Sequence, residues 1–141
     1  MPSMMLRSAT MIAMAVVMAP AMAATTKMDV LMTGAAEAPG PGAPQGMGDA
    51  SLAFDTDRGQ VCYRLRTTGI DTPTMAHIHK GAVGVAGGVV VPLTAPTNGS
   101  SEGCAPIAAD VLAAIVAAPA DYYVNVHNAA FPKGAIRGQL K

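Results

Sequence analysis

Residues 60–67 read Gln60-Val61-Cys62-Tyr63-Arg64-Leu65-Arg66-Thr67, and this stretch decides the fold class. Val61, Tyr63 and Leu65 fall on one side of an extended chain and Cys62, Arg64 and Arg66 on the other. That period of two fits a half-buried strand and no helix. Asp57-Arg58-Gly59 just before it is a turn, and 50–55 alternates small or polar with apolar residues, so the pair predicts a β-hairpin. Toward the N-terminus, 28–32 is a short strand-like run. The segment 35–48 carries Pro39, Pro41, Pro44 and several glycines and reads as an irregular connection. Toward the C-terminus, strands are expected at 75–79 and 88–93, separated by a glycine-rich segment at 81–87, with 95–103 as a polar loop. Val111, Leu112, Ile115 and Val116 recur at helical spacing within the alanine-rich 108–118, which Pro119 stops. Strands at 122–127 and 135–140 follow. Seven or so short strands with glycine and proline turns predict an all-β fold: an antiparallel Greek-key sandwich or barrel with one short helix.

The first 23 residues do not belong to that fold. Arg7 is the sole charge before Lys27, the run 9–19 is apolar, and Ala21-Met22-Ala23 offers the small-x-small site of signal peptidase. Residues 1–23 are therefore expected to be a signal peptide and 24–141 one domain, periplasmic or secreted. The apolar run is shorter than the roughly 20 residues that span a bilayer, so no stable membrane insertion is expected after cleavage. Seven of the 11 methionines lie in the leader, which argues against a methionine-rich copper carrier. The remaining chain has eight basic and nine acidic residues, a balance that offers nucleic acid no basic patch. Its two cysteines, Cys62 and Cys104, are most simply a disulfide outside the cytoplasm, because neither sits in a CxxC or CxxH metal motif. Closing a loop of roughly 43 residues contributes about 4 kcal/mol in the chain-entropy account.

All three histidines lie on two strand-like segments. His77 and His79, at i and i+2 of one strand, leave the same face, with Ala76 and Ile78 opposite. His127 shares a face with Tyr123 and Asn125 on the other strand, opposite Tyr122, Val124 and Val126. If these strands are neighbours, three imidazoles converge. Imidazole suits copper, zinc, nickel and iron, and three nitrogen ligands leave a position open. Because metal–nitrogen bonds run near 2.0–2.1 Å, the ring nitrogens are expected within about 4 Å of each other even without metal. Tyr123 and Asn125 are placed to orient an imidazole. The plainer alternative is that these polar groups hydrogen-bond within a loop-covered face or meet solvent. Nucleophile elbows, Walker-type glycine loops and any spacing that would select two catalytic carboxylates are missing from the sequence.

Three segments resemble the hallmark motifs of the CHRD (chordin-type) family: Ala76-His77-Ile78-His79-Lys80-Gly81, Tyr123-Val124-Asn125-Val126-His127, and Phe131-Pro132-Lys133-Gly134-Ala135-Ile136-Arg137-Gly138-Gln139-Leu140. Thr33-Gly34-Ala35-Ala36-Glu37-Ala38-Pro39 resembles the family's opening element. The resemblance implies an exported single domain, and chordin itself suggests a non-catalytic binding or structural module. A looser similarity joins His77, His79 and His127 to the copper ligands of copper–zinc superoxide dismutases, which use an H-x-H pair and a late histidine. That likeness implies copper as cofactor, a small anion such as superoxide as partner, and Arg137 as the catalytic residue that guides it. The alternative for Arg137 is an ion pair with Glu37 or an aspartate. Without bridging or zinc-binding histidines, such an enzyme would be copper-only with three ligands.

Overall fold

The structure is a computed structural model that describes residues 24–141; the expected signal peptide at 1–23 lies outside the described residues. Eight strands form one antiparallel sheet: β1 (Thr25–Thr33), β2 (Met47–Asp55), β3 (Gln60–Thr68), β4 (Pro73–Lys80), β5 (Val89–Leu93), β6 (Ser100–Pro106), β7 (Tyr122–Asn128) and β8 (Ile136–Gln139). Their spatial order is β5-β4-β7-β8-β1-β2-β3-β6, and β5 touches β6, so the sheet curls into a nearly closed barrel. Side chains bridge the seam: the Tyr63 hydroxyl of β3 accepts from the Thr94 amide at 2.9 Å, and Ser101 Oγ of β6 donates to the Thr94 carbonyl at 2.7 Å. The one α-helix among the described residues, α1 (Ala109–Ala117), buries Leu112 and Ile115 against the barrel core.

The β2–β3 hairpin has the register that the alternation predicts, from Met47 opposite Thr68 to Asp55 opposite Gln60. Asp55 Oδ1 closes its turn by accepting the Asp57 and Arg58 amides at 3.1 and 3.0 Å. Val61, Tyr63 and Leu65 point inward to join Phe54, Ile78, Val124 and Val126 in the core. Each large aliphatic or aromatic side chain buried there contributes about 1.5–3 kcal/mol.

Two expectations need correction. The segment read as a polar loop at 95–103 runs into β6, which pairs with β3 from Arg66 opposite Ser100 to Gln60 opposite Pro106. Its Ser-Ser-Glu-Gly-Cys composition has little strand propensity, and the neighbouring strand imposes the extended form. Cys104 lies in β6 directly opposite Cys62, and the two form a disulfide. The bond therefore staples adjacent strands. The irregular 35–48 connection is also shorter than expected, because Met47 and Gly48 already belong to β2.

Candidate metal centre

Strands β4 and β7 are neighbours, with His77 opposite Asn125, His79 opposite Tyr123 and Met75 opposite His127. The alternation sends Ala76, Ile78, Val124 and Val126 into the barrel and all three imidazoles out of it. Their ligand atoms lie within 4.8 Å of one another, and His77 Nδ1 is 3.1 Å from His127 Nε2. The group is thus assembled, with an outer spread somewhat wider than the roughly 4 Å a bound metal would impose.

Backbone carbonyls fix two of the rings. His79 Nδ1 faces the Gly87 carbonyl at 2.9 Å and His127 Nδ1 faces the Pro132 carbonyl at 3.1 Å. A carbonyl oxygen accepts only, so both Nδ1 atoms carry the hydrogen and both Nε2 atoms keep a lone pair. His79 Nε2 is buried and has no hydrogen-bond partner. His77, half-buried, lacks such an anchor among the described residues and is the ring freest to close on an ion. Burial depresses the basicity of all three, and for His77 the neighbouring imidazoles add to it, bringing its pKa to about 4. The rings are therefore neutral near pH 7, the form that ligates a metal. Neutral imidazoles, two fixed tautomers and one orphaned lone pair fit a divalent ion held by the three rings, with Nε2 as the ligand atom of His79 and of His127.

The outer face of these strands is roofed. Every residue of β7 is buried, as are His79, Asn125, His127 and Arg137. The roof is the 81–88 loop, whose backbone the site residues grip. Arg137 donates to the Ala82 and Val85 carbonyls, each at 2.8 Å, and Gln139 Nε2 donates to the Gly81 carbonyl at 2.7 Å. The Gly87 amide donates to the Tyr123 hydroxyl at 3.1 Å. Any side chain at Gly87 would collide with the Lys80 carbonyl, so the loop needs glycine to reach both His79 and Tyr123. Tyr123 joins the two halves of the site: His79 from β4 stacks on its ring at 4.8 Å between centroids, and the Arg137 guanidinium from β8 lies 3.4 Å from its centroid.

Arg137 thus departs from the ion-pair reading of its sequence context. It is 1% exposed and, among the described residues, makes no ion pair; its donors go to loop carbonyls and to Gln139 Oε1 at 3.2 Å. Glu37 acts on it through charge and is itself buried, its pKa raised to about 7 mainly by desolvation. In the sequence Glu37 stands out only as an ion-pair candidate and as a member of the segment that resembles the family's opening element. A lone acid inside a proline- and glycine-rich segment was the signal available. The anchoring carbonyls of Gly87 and Pro132, being backbone, left no signal.

Among the described residues no helix is long and apolar enough to cross a membrane. No curated protein and no solved structure matches the chain, so the likeness to copper–zinc superoxide dismutases rests on the order and spacing of its histidines. The CHRD domain model matches residues 28–140, from β1 to the end of the barrel and including the three histidines, Glu37, Asn125 and Arg137: the chain belongs to the CHRD domain family.

Proposed function

We propose that this protein is exported after loss of residues 1–23 and binds one copper ion through His77, His79 and His127, and that the copper form consumes superoxide. The observation that carries this reading is the convergence of three neutral imidazoles within 4.8 Å, two of them with tautomers set by carbonyls. Copper would supply a one-electron cycle that a histidine set tolerates in both oxidation states. The chain's own part is to hold the rings, through the Gly87 and Pro132 carbonyls, and to keep them unprotonated by burial. Arg137, behind Tyr123, contributes a fixed positive charge to the field a small anion would meet, with three of its five N–H donors committed to Ala82, Val85 and Gln139. Export into an oxidising compartment agrees with the Cys62–Cys104 disulfide.

A second reading, a non-catalytic extracytoplasmic binding or structural module, is favoured by the commitment of Arg137 to the loop. One assay separates the two. Copper-loaded protein should consume superoxide well above the same protein with all three histidines changed to alanine, and the zinc form should not, since zinc has no redox change. Rising ionic strength should slow the copper form, because attraction of an anion by a fixed charge is screened. Equal consumption by the copper-loaded native and triple-variant proteins would refute the enzyme and leave the module.

A further inference from the structure

Three buried side-chain atoms among the described residues lack a hydrogen-bond partner: Glu37 Oε1, His79 Nε2 and Asn125 Oδ1. They are not scattered. The Asn125 amide is close enough to act on the Glu37 carboxyl group on one side and on the His79 imidazole on the other. All three atoms are acceptors, since the His79 hydrogen sits on Nδ1. A buried unpaired acceptor costs about 1–3 kcal/mol, so a run of three marks a place that lacks cations or protons. A metal ion on His79 Nε2 would satisfy one, and a proton on Glu37 would turn an acceptor into a donor.

We propose that Glu37 is a positioning residue that holds a proton while the histidine site is empty and releases it to solvent when a divalent metal ion binds, the Asn125 amide linking the two events. The inference rests on the metal-site reading above. With Glu37 ionised, Asn125 Nδ2 donates to the carboxylate and Oδ1 faces His79, leaving the Nε2 lone pair for the metal. With Glu37 protonated, its O–H donates to Asn125 Oδ1, and the turned amide presents Nδ2 to His79 Nε2, the lone pair the metal needs. Arg137 from β8, the Asn125 amide from β7 and the Ala38 amide all favour the ionised carboxylate, and burial opposes and outweighs them. Lys133 lines the same cleft as Glu37, and Gly134, at a positive φ of 141°, packs so closely on the carboxyl group that a side chain there would collide with it. That cleft, about 370 Å³ between residues 37–41 and 130–134, gives the proton a way to water.

The chain has two glutamates, Glu37 and Glu102, so carboxyl-labelled glutamate gives two carbon resonances, with exposed Glu102 as an internal reference. Zinc is the probe, and imidazole nitrogen shifts in the same sample report its arrival. Zinc should lower the Glu37 titration midpoint by about one pH unit or more and leave Glu102 unmoved. Zinc affinity should be about fivefold weaker at pH 6 than at pH 8 for a shift of that size, and Glu37→Gln should abolish the difference. If zinc moves the imidazole nitrogens while the Glu37 midpoint stays, or if Glu37→Gln keeps the native pH slope, the linkage is overturned and the metal site stands. If the imidazole nitrogens ignore zinc, both readings fall.

Discussion

The barrel has two outer faces built from the same alternation, and they are treated in opposite ways. On β1, β2, β3 and β6 the outward residues meet water: Leu31 is 80% exposed, and Arg64–Glu102 and Arg66–Asp49 form surface ion pairs at 3.4 and 3.1 Å. On β4, β7 and β8 the outward residues are just as polar, yet His79, Asn125, His127 and Arg137 lie buried under the 81–88 loop and the segments around Glu37 and Pro132. Exposed ion pairs contribute roughly 0–1 kcal/mol and cost little to keep. Polar groups under a roof must be paired or they destabilise the fold. The roofed face pairs most of its groups to loop backbone and leaves unpaired three acceptors, on Glu37, His79 and Asn125. A fold seeking stability alone would place apolar residues there. Polar residues held at that cost point to a ligand.

The comparison can be broken in several ways. The largest effect belongs to the disulfide on the open face. Reducing Cys62–Cys104 should cost about 4 kcal/mol. Amide exchange should then quicken first in β6, which offers only Ala105 to the core, and later in β7. Simultaneous exchange of both strands would contradict two separately supported faces, and two titratable thiols in unreduced protein would remove the bond itself.

Next in size is the contrast between arginines. Arg137→Ala strips two loop carbonyls of their donors and opens a cavity beside Tyr123, so denaturant unfolding should show a loss of about 3 kcal/mol. Arg64→Ala on the open face should change stability by less than about 0.5 kcal/mol. Similar values for the two would mean the roof carries no burden.

The smallest expected effect is on pH dependence without metal. Because the folded-state pKa of Glu37 is raised, the native protein holds more protons than the unfolded chain between pH 4.5 and about 7, and stability falls as pH rises through that window. Glu37→Gln should therefore gain about 1–2 kcal/mol relative to the native chain at pH 8 and nothing at pH 4, the full shift being screened by cleft water. The histidines act oppositely. Their lowered pKa values mean the unfolded chain binds more protons, so stability is lost as pH falls below 6.5, down to about 4 for His77. Urea midpoints of the two proteins across pH 4–8 separate these contributions.

Side-chain alternation made much of this legible. The 60–67 run gave the hairpin, and the i, i+2 spacing of His77 and His79 put both rings on the face that His127 shares. What stayed hidden depends on backbone and on burial. β6 was missed because its pairing comes from its neighbour and not from its own residues. The roof was missed because carbonyls at residues 82, 85, 87 and 132 have no signature in side-chain identity. The bonds of Arg137 to the loop stay hidden for the same reason: an arginine that bonds backbone looks, in sequence, like one that meets solvent.

The central claim is that the roofed face is built around a metal ion held by three imidazoles. Equilibrium dialysis of untagged protein, residues 24–141, against copper(II), followed by measurement of bound copper per chain, tests it most directly. One tightly held copper per native chain, lost in His77→Ala, His79→Ala and His127→Ala while each variant remains folded, is the predicted result. Native protein that retains no more copper than the variant lacking all three histidines would contradict it.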